Sequence, residues 1–330
     1  MKQPSLYPLT FKPVLKDYIW GGRNLEKWGR ILPTRGVIAE SWEIASHKDG
    51  TTVVDNGDLA GKPLSQIQAE YGVDLIGRNH TWALEKGRFP LLIKLLDANR
   101  PLSVQVHPTD EYALAHEDNE LGKTEMWYVL HAEPNASIIM GVKAATTPQN
   151  FRRAIESGQL EKYLHYLPVE TGNHIHVPAG SLHAIMGGAL IAEIQQNSNT
   201  TYRVYDWKRV NTEGQSRPLH IRKALDVVNF SQVEPGLLPP KHITDKQGIH
   251  CFELCRNAYF VTERLEMAAG TTYQGNCTGT TMEIWGLIAG NAVISDREYQ
   301  AIQFVLLPAS LGKFTIRATS TATLLRIYTG

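Results

Sequence analysis

Cysteine is scarce in this chain. Three residues in 330, Cys251, Cys255 and Cys277, form an odd count, which excludes a complete disulfide framework and leads us to expect a reducing, cytoplasmic setting. Net charge is lacking too, because 33 lysines and arginines balance 33 aspartates and glutamates. Without a basic excess there is no general hold on nucleic acid or an anionic membrane, and neither is expected as a principal partner. Nowhere do 18 apolar residues run together, and Met1 to Lys16 lacks a continuous apolar stretch of leader length, so a soluble, non-exported protein is expected. Cys251-Phe-Glu-Leu-Cys255 has apolar neighbours and no second pair, which reads as buried structural thiols rather than a redox or metal motif.

What is present is length and a succession of short β signals. A chain of 330 residues exceeds the usual size of one domain, so two are expected, with the Pro/Gly-rich segment Glu234–Pro240 as linker. Ile38 to Ala45 reads as a strand in which Glu40 and Glu43 flank Trp42, and Leu64 to Tyr71 as a short amphipathic helix. Phe89 to Leu96 is an apolar run of strand length interrupted by Lys94. The usual outcome for such a lysine is snorkelling to water, and the rarer one an anionic partner.

The stretch Pro101-Leu102-Ser103-Val104-Gln105-Val106-His107-Pro108 organises the rest. As a strand it sends Leu102, Val104 and Val106 to one face and Ser103, Gln105 and His107 to the other. Taken alone, that pattern describes an ordinary sheet with a solvated polar face as readily as one wall of a chemical site. Thr109 then caps a helical turn through His116, and Thr124 to His131 returns as a strand, with Lys123, Glu125 and Trp127 on one face. Thr147-Pro148 opens a helix that Gly158 ends. In Gly172 to His183, Pro178 and Gly180 impose a turn and leave His183 on a loop aimed at a cavity. Ala189 to Tyr205 reads as further strand carrying Glu193 and Arg203, and Pro218 as the start of a helix bearing Ile221, Leu225 and Val228. From Ile243 onward the pattern is β again. There Pro308-Ala309-Ser310-Leu311-Gly312-Lys313 echoes Pro178-Ala179-Gly180-Ser181-Leu182-His183, with lysine where the histidine stood, and His250 is the only histidine left.

Two of these pieces resemble the cupin pattern. Gly172, Pro178, Gly180 and His183 match the second cupin motif without insertion, whereas the first motif is a variant, with Gln105 in place of its first histidine, His107 as its second, and Glu125 unusually far on. Gln-X-His followed by Gly122-Lys123-Thr124-Glu125, then Pro178 to Ala184 and Glu193 to Trp207, resembles the type I mannose-6-phosphate isomerases over most of the chain, most closely the short bacterial form. Four ordered motifs make the likeness specific.

The resemblance implies a mainly β fold: a cupin jelly-roll barrel over residues 1–235, with a helical excursion near 147–167, and a degenerate cupin-like β domain over 243–330 without metal ligands. It implies Gln105, His107, Glu125 and His183 as ligands of one Zn²⁺, a donor set that Mn²⁺, Fe²⁺ or Co²⁺ also accept. Ser103, Lys123 and Arg203, together with Lys94, fall among the substrate-binding residues. Arg203, Lys123 and Glu193 are the catalytic candidates, and the base is open between Glu193, Lys123 and metal-bound hydroxide. His174 and His176 are rival ligands that share a face by alternation. The implied reaction is aldose–ketose isomerisation of mannose 6-phosphate and fructose 6-phosphate through a cis-enediol, by a monomer or weak homodimer. A cupin dioxygenase and a non-catalytic metal- and sugar-binding cupin are the alternatives.

Overall fold

The apolar runs of strand length become sheets covered on both faces. Leu91–Ala98 is buried at every position. Leu91, Ile93 and Leu95 enter one large apolar cluster, whereas Leu92, Lys94 and Leu96 face the other way. Ala189–Gln196 and Glu125–Ala132 divide in the same manner. Leu190, Ala192, Ile194, Met126, Tyr128 and Leu130 join that cluster, while Ile191, Trp127 and Val129 pack inside the barrel. A sheet wet on one face would alternate in polarity along its strands, and these do so only where an inward position carries charge.

The computed structural model describes residues 4–210 and 213–329. In it, a six-stranded sheet runs in the order His174–Val177, Glu125–Ala132, Ala189–Gln196, Leu91–Ala98, Glu40–Ile44, Val14–Lys16. It packs on a five-stranded sheet ordered Leu164–Pro168, Ser137–Val142, His183–Ile185, Val104–Val106, Tyr202–Tyr205. Beyond the Pro/Gly-rich segment the plan recurs. A six-stranded sheet, Lys241–Lys246, Ile249–Arg256, Val261–Met267, Ala322–Tyr328, Glu283–Ala289, Gln303–Leu307, faces a four-stranded one, Thr272–Cys277, Gly312–Ala318, Asn291–Ile294, Arg297–Gln300. The chain is therefore mainly β and forms two cupin-type sandwiches.

The two sandwiches share apolar packing. The large cluster that takes the outer face of the first barrel also takes Leu254, Phe260, Ile284, Phe304, Leu306 and Ile327, and Leu9 and Leu306 exchange two backbone hydrogen bonds of 2.8 and 2.9 Å. The helix Leu64–Tyr71 stands where its periodicity places it, and Thr147 with Asn150 forms a capping box for Pro148–Glu156, inside the 147–167 excursion. All three cysteines are free and buried. No helix among the described residues is long and apolar enough to cross a membrane.

Several local expectations change. His183 opens the strand His183–Ile185 instead of riding a loop, because its backbone pairs with Gln105 on one side and Met140 on the other. Ala189 to Tyr205 is two strands in opposite sheets. The chain breaks at Asn197-Ser198, where the Asn197 amide donates to the Ser46 carbonyl and the Ser198 hydroxyl to that of Leu121. The helix expected from Pro218 begins at Ile221, since the Pro218 carbonyl is taken by Arg203 Nη1 at 3.0 Å. Leu102 lies ahead of the Val104–Val106 strand and lines the site cavity beside Ser103, so alternation does not reach it. The Pro308 turn falls at the same point of the strand plan as the Pro178 turn, but the inward residue after it is Phe314. Lys313 is exposed.

Candidate active site and metal centre

His107, Glu125 and His183 arrive from three strands of the first barrel, and one ligand atom of each lies within 4.8 Å of the others. His107 directly follows the Val104–Val106 strand, and Glu125 opens the strand Glu125–Ala132. The turn that delivers His183 is held against His107, because the Gly180 N–H donates to the His107 carbonyl at 2.8 Å. Gly180 has φ +88, and a Cβ there would stand 3.1 Å from the Val227 carbonyl, so glycine fits this left-handed, crowded position.

The electrostatics of this cluster suit a cation. His107 Nδ1 donates to the Thr200 carbonyl at 2.7 Å and His183 Nδ1 to that of Ser181 at 2.9 Å. Each contact fixes the tautomer and turns the Nε2 lone pair inward. These lone pairs lie 3.4 and 3.3 Å from Glu125 Oε1, which receives no hydrogen bond. Burial, joined by the charge of Lys123, pulls His107 down to about 3, and burial lowers His183 as well, so both rings are neutral. Burial pushes the Glu125 carboxyl up, but its neighbours, the Lys123 ammonium foremost, outweigh it and hold the group well below the usual range. Two neutral imidazoles and a carboxylate oxygen thus converge; Lys123 Nζ reaches His107 Nε2 at 3.3 Å, but Glu125 Oε1 has no hydrogen-bond partner, and the donor set fits a divalent metal. Gln105 completes the group, its amide 3.3 Å from His183 Nε2. Its Oε1 faces the Ser103 hydroxyl at 3.3 Å, and a half-turn of the amide exchanges the two ends.

Above this cluster opens a cavity of about 270 Å³, lined by Gln105, Lys123, Glu193, Lys94, Glu40, Ser103, Arg203 and Arg217 among others, with Tyr18 and Trp20 also in its wall. Four cations and two carboxylates line it, and the carboxylates that pair with Lys123 and Arg217, Glu125 and Asp206, are not in its wall, so the cavity presents more cations than anions to a phosphorylated ligand. Arg203 is held beside the metal cluster by pairing across from Gln105 and by donating from Nε to Ser103 Oγ at 3.2 Å.

Opposite charges alternate across the floor. Glu40 is 3.4 Å from Lys94, Lys94 is 3.6 Å from Glu193, Glu193 is 3.6 Å from Lys123, and Lys123 donates to Glu125 Oε2 at 2.7 Å. Lys94 does not snorkel. It is 2% exposed, with its ammonium between Glu40 and Glu193 and 4.9 Å from the centre of the Trp42 ring. Glu193 pairs with Lys94 and Lys123, not with Arg203, and accepts from Trp127 Nε1 at 3.2 Å. Burial and the charge of Glu125 push Glu193 up to about 7 against the pull of the two lysines. Burial would lower Lys123, but Glu125 and Glu193 outweigh it and raise its pKa, so this lysine is a fixed ammonium.

All nine residues expected at the site therefore come together. His174 and His176 do not: they pair with Tyr128 and Met126, whose side chains join the outer cluster, and both face away from the cavity. Glu40, Arg217, Tyr18 and Trp20 were not anticipated. Glu40 carried a signal, being in alternation with Trp42, whose indole donates to it at 2.6 Å. Arg217 lies in a long loop without periodicity.

The profile of the phosphomannose isomerase type I catalytic domain matches residues 9–124. The chain is 37% identical over 316 residues to mannose-6-phosphate isomerase ManA of Bacillus subtilis, spanning 94% of this chain and 95% of that one. It is 38% identical over 268 residues to mannose-6-phosphate isomerase of Streptococcus mutans, 81% of each. Among solved structures, that of the mannose 6-phosphate isomerase from Bacillus subtilis superposes with a TM-score of 0.85 at 33% identity, over 97% of this chain and 99% of that one. Phosphomannose isomerase from Salmonella typhimurium has the same fold, with a TM-score of 0.76 at 14% identity. A shared fold, near-complete coverage and more than a third of residues identical mean that this chain belongs to the type I phosphomannose isomerase family.

Proposed function

We propose that this chain interconverts mannose 6-phosphate and fructose 6-phosphate, moving a proton between C2 and C1 through a cis-enediol. The observation that carries this reading is a buried cluster of His107, Glu125 and His183, with Glu125 Oε1 unpartnered, under a cavity whose wall carries four cationic side chains. In our reading Gln105, His107, Glu125 and His183 hold one Zn²⁺ per chain, which when bound polarises the sugar's oxygens and offsets the negative charge of the enediol.

The chain's own residues supply the rest. Glu193, its pKa pushed up toward neutrality, accepts the proton from one carbon and returns it to the other, a task for which a pKa near the working pH is best. Lys123 and Arg203 remain charged and stabilise the oxygens on which negative charge develops. Lys94 keeps Glu193 oriented and faces the substrate. Ser103 links Arg203 to Gln105, joining charge stabilisation to the metal wall. Every one of these residues comes from a single chain, so a monomer suffices. Three free, buried thiols agree with a reducing cytoplasm.

Purified protein is stripped with a chelator, reconstituted with individual metals, and tested on mannose 6-phosphate with a coupled readout. Turnover should vanish on stripping and return with Zn²⁺. Folded, metal-loaded protein that leaves mannose 6-phosphate unchanged would be a sugar-binding cupin instead.

A further inference from the structure

We propose that Arg217 is the phosphate-binding guanidinium of the site and the residue that makes it selective for phosphorylated sugar. This rests on the isomerase reading above. The two arginines that line the cavity, Arg203 and Arg217, are placed differently. Arg203 is tied to the reacting end: it pairs across from Gln105, and its Nε donates to the same Ser103 hydroxyl that meets the Gln105 amide. A guanidinium so close to the metal wall is suited to oxygens on C1 and C2. The phosphate lies at the other end of the sugar.

Arg217 is presented there by a second anchor. Its Nε and Nη2 grip Asp206 at 2.8 and 2.6 Å in the two-point geometry that fixes a guanidinium plane, and this leaves the Nη1 edge for a ligand. Asp206 is also bound by Arg209, whose Nη1 donates to the Pro101 carbonyl, so Arg209 is consumed by the scaffold. Arg203 Nη1 in turn holds the Pro218 carbonyl, next to Arg217, at 3.0 Å. Asp206 is shared between Arg217 and Arg209 and so offsets Arg217 only in part, which leaves the Arg203–Arg217 side of the cavity positive, as an anionic phosphate requires. Burial first, then the charge of Arg217 against the counter-pull of Asp206, lowers the pKa of Arg203, so the two guanidiniums of the cavity lie within each other's field. Tyr18, also in the cavity wall, has its hydroxyl within the field of Arg217, which puts an aromatic wall near the same end.

The test uses the full, metal-loaded chain with inorganic phosphate as probe, titrated by calorimetry, alongside steady-state kinetics on mannose 6-phosphate. R217M should weaken phosphate binding and raise KM by roughly 10- to 100-fold, the loss of one or two charge-assisted hydrogen bonds, with the larger share of the kcat/KM deficit in KM. R217K keeps Asp206 partnered and the charge in place but loses the planar fork, and should fall between wild type and R217M. Thermal melting of both variants separates loss of binding from loss of fold. Phosphate affinity unchanged in R217M, a deficit confined to kcat, or no phosphate binding by the wild-type chain would each overturn the assignment. Failure of the wild-type chain to turn over mannose 6-phosphate would instead remove the isomerase reading, and the phosphate titration would still judge Arg217.

Discussion

The two sandwiches share a strand plan and invert the charge at its centre. In the first, Glu193 pairs in register with Lys94 on one neighbouring strand and Trp127 on the other. In the second, Arg326 stands at the corresponding place, between Glu263 and Trp285. Glu125 and Glu283 open equivalent strands. Arg326 reaches both carboxylates, donating to Glu283 at 3.1 Å and Glu263 at 3.2 Å, so the second barrel carries its own central cation. The first leaves Glu125 Oε1 without a hydrogen-bond partner, between two imidazole nitrogens that meet only Lys123 and the Gln105 amide, each at 3.3 Å. Around Glu283 the other candidate ligand positions become Gly275, Cys277 and Phe314. Phe314 meets Trp285 as His183 meets Trp127, at 6.1 and 5.4 Å, and a Cβ on Gly275 would stand 2.1 Å from the Phe314 ring. Both barrels carry an internal ion network, but the second is filled by the Phe314 and Trp285 rings, whereas the first keeps three candidate ligands around an unpartnered carboxylate oxygen.

The largest effects should come from breaking the first barrel. His183→Ala removes an imidazole from the donor set and should lose metal and activity together, read by metal content and turnover. Arg203→Ala and Glu193→Gln should keep the metal and lose turnover, Glu193→Gln by roughly 10²- to 10⁴-fold as expected for a general base. Equal loss of metal in all three variants would mean that Arg203 and Glu193 are part of the metal scaffold and not of the chemistry.

The matching break in the second barrel should touch stability alone. Arg326→Met strands Glu263 and Glu283, whose side chains are only 9% and 6% exposed, and should cost about 3 kcal/mol. The midpoint of urea unfolding reads that cost, while kcat per folded molecule stays at the wild-type value. A fall in kcat would show that the second barrel contributes to the reaction.

A smaller effect separates the two central charges by pH. Glu193 has a raised pKa of about 7, so as the base it is competent above that value and turnover should fall as pH drops through it. Lys94 favours the ionised carboxylate, and its removal raises the Glu193 pKa further. Lys94→Met should therefore move the acid limb of kcat upward, by about one unit. A limb that stays in place would assign the proton transfer to another group.

Much of this contrast was legible in the sequence, and the parts that were not have physical reasons. Alternation put Ser103, Gln105 and His107 on one face, and Lys123, Glu125 and Trp127 on another, because strand geometry is local. That Glu125, His183, Glu193 and Arg203 join them came from the order of the resembling motifs, because their meeting depends on strands far apart in the chain. Snorkelling was the wrong usual outcome for Lys94, and Glu40 had no site reading at all, because their pairing is decided by neighbours far along the chain, Glu193 for Lys94 and Lys94 for Glu40. Arg217 had no signal, since a loop residue clamped by Asp206 follows no period.

The smallest effect tests the register of the internal repeat. By motif spacing Lys313 takes the place of His183, and a histidine there would be the first step toward a metal site in the second barrel. The backbone says otherwise. Gln105 pairs with His183, whereas Gly275 pairs with Phe314 and Asn276 with Lys313, so Lys313 points out and Phe314 in. Lys313→His should leave metal content at the wild-type level and change stability by no more than about 0.5 kcal/mol, as exposed substitutions do. Phe314→His should unfold the chain at lower urea, since an imidazole would replace a packed ring beside Trp285, and an unfilled space there costs about 3 kcal/mol. If Lys313→His were the costly change, the strand after Pro308 would be turned over by one residue, and the correspondence of Glu125 with Glu283 would lose its partner strand.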